Sequence, residues 1–431
     1  MVFTTQIFIF AFFPLCVVAY LLADRVEKIG RFGVWLKKLR AKDVLLIAFS
    51  LVFYMWACFD DVFKLIFYIL LVYILARWIE AARRRNIFIR LETDAEGESR
   101  LYKCLYLAVF PFVLAVSAVL FCLIWYKYLD FILQTWNALF RGAAAMKVIT
   151  APLGLSFITF SAISYLTDIY RKQASAGSLI DCALYLSFFP KVISGPIVLW
   201  KDFQKQVPER KSSLELYAAG INRMMSGFAK KVILADTFGA CLAEISLSNM
   251  DRATAVGTLI LYMLQIYYDF SGYSDIALGL SALFGFEFKE NFNFPYLSQS
   301  ISEFWRRWHI SLGTWFREYV YFPLGGSRVA LGKTLRNLLI VFALTGIWHG
   351  AGWNYFLWGG ANGLLVVIER IIQNKSFYKN VPNVIKYGFT MLVVLLLWQC
   401  FRWSSIADVY YGENVPLFRR NGYRKSGAMI P

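Results

Sequence analysis

Two histidines, His309 and His349, are the only ones in 431 residues, and the segments around them hold most of the residue types that do chemistry. An imidazole titrates near neutral pH, so it is suited to taking a proton from a hydroxyl. His349 stands in GIWHGAGWNYFLWGGANG (346–363), directly after an apolar run. At membrane depth an imidazole is costly unless it is used or hydrogen-bonded. Gly346, Gly350 and Gly352 beside it let backbone or ligand approach closely. The plainer alternative is a packed structural histidine. His309 lies in 287–328 (EFKENFNFPYLSQSISEFWRRWHISLGTWFREYVYFPLGGSR), which mixes many charges with many aromatics. Here Asn293-Phe294-Pro295 predicts an extended approach, and Ser302-Glu303 a helix start. Glu303 and Arg307 form an i,i+4 pair in the favourable order. Phe304, Trp308 and Trp315 fall close to one helical stripe, with Arg306 and Arg317 elsewhere; 325–328 (GGSR) reads as a turn. The stretch is either an interfacial amphipathic helix or a re-entrant helix lining a cavity, where arginine binds a phosphate-bearing ligand.

Other chemistries lack their motifs. There is no G-x-S-x-G elbow for a serine hydrolase. Two histidines 40 residues apart, with no carboxylate at ligand spacing, do not make a metal site. The seven cysteines contain no CxxC pair and mostly lie in apolar segments, where cysteine behaves as a small hydrophobe. Charges at apparent membrane depth are Asp168, Lys191, Lys231, Asp236, Asp269 and Asp275. Such residues mark internal ion pairs or a ligand path. Asp269 and Asp275, in QIYYDFSGYSDIALG (265–279), are singled out from them. With Trp305, Arg306, Arg307, Trp308, Trp348 and Asn354 they complete the substrate-binding candidates.

The elements that must position these residues are membrane helices. The chain is 59% hydrophobic and 17% charged, with a mean hydropathy of +0.53. Soluble domains are more polar, so a soluble enzyme, a disordered scaffold and a disulfide-rich secreted protein are excluded. Apolar runs predict spans near 3–22, 44–59, 62–80, 105–125, 149–167, 180–199, 254–270, 335–348, 353–372 and 384–402, with an ambiguous one near 216–236. The fold class expected is all-α and polytopic, with about 10–12 transmembrane helices plus re-entrant or interfacial ones. Residues 1–403 are expected to form one membrane domain and 404–431 a C-terminal tail. The net charge of +17 fits basic loops facing an anionic leaflet rather than nucleic acid, for which no motif is present. The loops after the first and third spans are rich in lysine and arginine and lie on one side. That side is read as cytoplasmic, which puts the N-terminus outside. Residues 1–22 lack a charged n-region and read as an uncleaved first span.

Five stretches then carry a pattern: 154–171 (GLSFITFSAISYLTDIYR), 188–197 (FFPKVISGPI), 265–279, 291–328 and 346–363. With them the chain resembles the membrane-bound O-acyltransferase family, in the bacterial branch of alginate and peptidoglycan O-acetyltransferases. The N-terminal MVFTTQIFIFAFFPL looks like that branch too. The resemblance implies many helices around a central funnel or tunnel. It implies a cytoplasmic acyl thioester, acetyl-CoA, as co-substrate with no bound cofactor, and an acceptor hydroxyl entering from the other side. The family's invariant histidine corresponds to His349, as catalytic base; its second, more variable polar position corresponds to His309, which would orient or polarise the thioester or shape the tunnel. The partners implied are a polysaccharide acceptor and an extracytoplasmic esterase-like (SGNH) transferase, at the bacterial inner membrane. Two features depart from the branch. The stretch after 384–402 is shorter than in longer relatives, so their later helices are not expected here. The basic loop at 23–42 has no role in the family pattern. Two other functions share parts of this reading: an acyltransferase fed by a carrier protein, as in D-alanyl transfer to teichoic acids, and a polysaccharide transporter. The second predicts an internal repeat, which the sequence does not contain.

Overall fold

The structure, a computed structural model, describes residues 3–91, 97–140, 150–210, 213–245 and 251–402. Side chains of Phe32, 86–91 and 97–108 are outside the description, as are part of the charged loop at 92–100 and the tail from 404. The described residues form helices and no strands, and the protein is an all-α polytopic membrane protein. Among the described residues six helices are long and apolar enough to cross a bilayer: Phe8–Val26, Phe59–Arg85, Val109–Phe140, Leu331–His349, Trp353–Ile372 and Asn383–Arg402. Their outward faces carry large apolar side chains such as Phe10, Phe67, Phe121, Leu364 and Phe389. In water such exposure would be costly; against lipid it is the expected surface.

The chain divides into two compact units, residues Met1–Met224 with Ile276–Lys289, and Met225–Asp275 with Glu290–Pro431. The first is built on an aromatic centre in which Phe12, Phe53 and Phe189 are buried, with ring centroids 5.4–5.7 Å apart. Around it the Leu155–Tyr170 helix is buried on nearly every face, the pattern of a helix enclosed by protein. The apolar run at 180–199 is not one span. Leu179–Ser187 is a helix with a Ser178–Asp181 capping box, followed by a single turn, Phe189–Val192. Pro190 is tolerated in the first turn of that short helix but not inside a longer one.

The basic loop at 23–42 acquires a role here. Asp24 accepts from Lys28 and Lys42 at 2.7 and 2.8 Å. Arg40 pairs with Asp43 and Asp181 at 2.7 and 2.6 Å, and Arg210 also reaches Asp43. This cluster lines a polar cleft of about 890 Å³ in the first unit. Lys28, Arg40 and Lys42 of this loop are thus each paired with a carboxylate.

In the second unit, Leu331–His349 and Trp353–Ile372 form a close antiparallel pair. A Cβ on Gly346 would lie 2.4 Å from the Tyr355 carbonyl oxygen and 3.1 Å from Gly359 Cα. Only a residue without a side chain allows this approach, and it places His349 at the end of its helix beside the second one.

Candidate active site

All ten residues selected from the sequence fall in the second unit. The elements that present them differ from the expectation in one respect. The stretch around His309 is two seven-residue helices, Ile301–Arg307 and Ile310–Phe316. It is not one continuous stripe, because His309 itself is left-handed at φ +46°. That conformation breaks the helix at the histidine and turns its ring inward. The first helix starts two residues before the expected place: the Ser300 hydroxyl accepts from the Glu303 N–H at 3.1 Å. The predicted Glu303–Arg307 pair is present at 2.9 Å. Phe294 is also left-handed, at φ +44°, rather than extended. The following proline bars the right-handed helical region in either case, and Pro295–Leu297 forms a short 3-10 turn.

His309 is 3% exposed. Its Nδ1 lies 3.1 Å from Asn291 Oδ1. The same oxygen accepts from the Ser311 N–H at 3.2 Å and the Ser311 hydroxyl at 2.8 Å. Asn291 Nδ2 donates to Ser274 Oγ at 3.0 Å. The backbone is tied as well, since the Ile310 N–H donates to the Asn291 carbonyl at 2.9 Å. Phe270, one helical turn from Ser274, sets its ring edge-on to the imidazole at 4.7 Å. The Nε2 atom of His309 is buried without a hydrogen-bond partner. His309 lies outside the six candidate spans. Burial lowers its pKa from 6.5 to about 3, so the ring is neutral at physiological pH.

His349 has a different setting. It is the last residue of Leu331–His349, half-buried and walled by aromatic rings. Trp358 and Phe401 meet it edge-on at 5.0 Å, and Trp348 lies at 4.8 Å. The Trp348 indole is shared, because its centroid is also 6.3 Å from that of His309. One buried tryptophan thus neighbours both imidazoles, and the two histidine segments meet in one place.

The other candidates sort by their partners. Trp305 Nε1 donates to Asn362 Oδ1 at 3.1 Å. Trp308 is buried against Trp398 and Phe292, at 4.7 and 5.0 Å. Asn354 is buried and donates to the Cys400 carbonyl at 2.8 Å. Arg307 is held by Glu303 and by the Asn293 carbonyl at 3.2 Å, while Arg306 is exposed. Asp269 and Asp275 pair with Lys231 and Lys230 at 2.7 and 2.6 Å. Between these carboxylates Gly272 packs on the backbone of the neighbouring helix, where a Cβ would lie 2.9 Å from the Gly227 carbonyl oxygen. The π-helical turn Ala229–Ala235 presents both lysines there. Among the described residues no three or more His, Cys, Asp or Glu side chains gather as a metal site. Asn291, Ser311 and Ser274 were not selected from the sequence. The one signal for Asn291 is an amide in a non-helical segment just before an aromatic-proline turn.

Comparison with known proteins bears on this arrangement. The MBOAT, membrane-bound O-acyltransferase family model matches residues 104–395. The "Probable alginate O-acetylase AlgI" of Pseudomonas aeruginosa is 37% identical over 413 residues, which cover 94% of this chain and 73% of that relative. The "Peptidoglycan O-acetyltransferase" of Helicobacter pylori is 31% identical over 357 residues, 74% of this chain and 66% of the relative. A "Teichoic acid D-alanyltransferase" of Streptococcus thermophilus is 30% identical over 234 residues, 50% of this chain and 56% of the relative.

Proposed function

The chain belongs to the membrane-bound O-acyltransferase family, and from that premise we propose that it moves an acetyl group from cytoplasmic acetyl-CoA to hydroxyls of an exported or cell-surface polysaccharide of alginate or peptidoglycan type. The reading sets the protein in the bacterial inner membrane with its N-terminus outside, working beside an extracytoplasmic esterase-like transferase. The match to alginate and peptidoglycan acetyl-transferring relatives over most of the chain carries it.

In the reaction, His349 takes the proton of the acceptor hydroxyl as the oxygen attacks the thioester carbonyl. The C–S bond breaks, the thiolate leaves, and the proton passes to it, so the products are an acetyl ester and free thiol. The position of His349 supports this role: it ends a helix, is half-buried, and has aromatic walls that limit water. Holding donor and acceptor in line supplies a further part of the rate. Arg306, exposed beside the site, is the candidate for the phosphates of CoA. Residues 1–403 act as one catalytic membrane domain in this reading.

The test is base-labile acetate on surface polysaccharide from cells carrying the wild-type chain or His349→Ala at equal membrane abundance. Loss of acetate with the variant is expected, and the polymer that loses it names the acceptor. Unchanged acetate with reduced polymer export would replace the reading by a transporter. The D-alanyltransferase relative favours a second donor, an acyl-carrier protein. Purified protein that consumes an acyl-carrier thioester but not acetyl-CoA would establish that alternative.

A further inference from the structure

The hydrogen-bond pattern around His309 assigns its tautomer. The Ser311 backbone N–H can only donate, so the Asn291 atom 3.2 Å from it is the carbonyl oxygen, Oδ1. The amide nitrogen then faces Ser274 Oγ at 3.0 Å, where it donates. His309 Nδ1 lies 3.1 Å from the same Oδ1. Two acceptors cannot share that distance favourably, so Nδ1 carries the hydrogen. In a neutral ring Nε2 is then bare, and it is this atom that is buried without a partner.

From this geometry we propose that Asn291 is a positioning residue that locks His309 in the Nδ1–H form, so that Nε2 serves as a fixed hydrogen-bond acceptor for a hydroxyl of the bound acyl acceptor. The proposal rests on the acyl-transfer reading above and chooses among the roles open to His309. The reacting end of a thioester, a carbonyl and a sulfur, has no hydrogen to give to a bare nitrogen, whereas a sugar offers several hydroxyls. His309 therefore orients the acceptor, and His349 remains the group that removes the proton at the attacking oxygen. An acceptor without a suitably placed hydroxyl leaves Nε2 buried and unpaired, which is how such a site rejects it.

The chain's two histidines make the test direct. Nitrogen NMR of the full-length protein, labelled with 15N-histidine in a His349→Gln background, reports one imidazole and separates the Nδ1–H from the Nε2–H form. The Nδ1–H form is expected for His309, and for Asn291→Asp, which keeps an acceptor oxygen. Asn291→Leu is expected to release the ring to a mixture in which Nε2–H is prominent. With His349 intact, Asn291→Leu should lower base-labile acetate on cell polysaccharide about 10-fold to 100-fold at equal membrane abundance. Asn291→Asp should retain most of it. An Nε2–H ring in the protein with native Asn291 overturns the proposal whether or not the variants accumulate. So does an Asn291→Leu protein that keeps full acetate transfer. The NMR result does not depend on turnover, so failure of the acetyl-transfer reading is distinguishable from failure of this one.

Discussion

The surroundings of the two histidines contrast. His309 is closed in, left-handed, tied to Asn291 and packed edge-on by Phe270. His349 sits at a helix end, half-buried among the rings of Trp348, Trp358 and Phe401. The first ring is fully buried in a hydrogen-bonded corner; the second is half-buried at a helix end with aromatic rings around it. The contrast suits a division of labour in which a rigid group orients a substrate and a more accessible one exchanges its proton. It also means that the two residues should answer differently to mutation.

The largest effect is expected for His349→Ala. Removing a general base costs on the order of 10² to 10⁴ in rate, so acetate transfer should fall to near background while the purified protein melts within about 1 kcal/mol of wild type. His309→Ala should reverse the emphasis. It leaves a cavity in a closed site and removes one of the three donors to Asn291 Oδ1, costing about 1–3 kcal/mol of stability, seen as a lower melting temperature in detergent. Equal melting losses for the two variants would erase the contrast. Because the His309 pKa is lowered to about 3, the ring gains a proton only as pH falls toward that value. Any pH–activity inflection between pH 5 and 8 therefore belongs to another group and should persist in whatever activity His309→Ala retains.

Smaller effects probe what holds each ring. Gly346→Ala would drive a methyl into the Tyr355 carbonyl and Gly359, and such overpacking costs about 1–3 kcal/mol. The displaced helix end should carry His349 with it, lowering specific activity as well as melting temperature. The smallest change in stability is expected for Arg306→Ala, within about 0.5 kcal/mol, since the side chain is exposed. Its informative readout is KM for acetyl-CoA, which rises if the guanidinium meets the donor phosphates and stays put if it does not. Arg307→Ala is the control, because its partner is Glu303.

Much of the candidate site's make-up was legible in the sequence. Scarcity pointed to both histidines, and the i,i+4 spacing of Glu303 and Arg307 foretold their pair. The charges at 269 and 275 were visible too, but both lysine partners come from one π-helical turn, Ala229–Ala235, earlier in the chain. Periodicity misjudged the segment through His309, because the residues on either side keep helical spacing across a break made by one left-handed residue. The 180–199 run shows the complementary error, where hydropathy alone passes over Pro190.

The sequence by itself determined the membrane setting, the all-helical class and the two residues best suited to proton chemistry, because hydropathy and residue type are local properties of the chain. The tertiary structure decided which nitrogen of His309 holds the hydrogen and which tryptophan neighbours both rings. It also placed the Asn291 and Ser274 amide–hydroxyl pair that supports the site. Those features depend on distances between residues far apart in the chain, and no spacing along one segment encodes them.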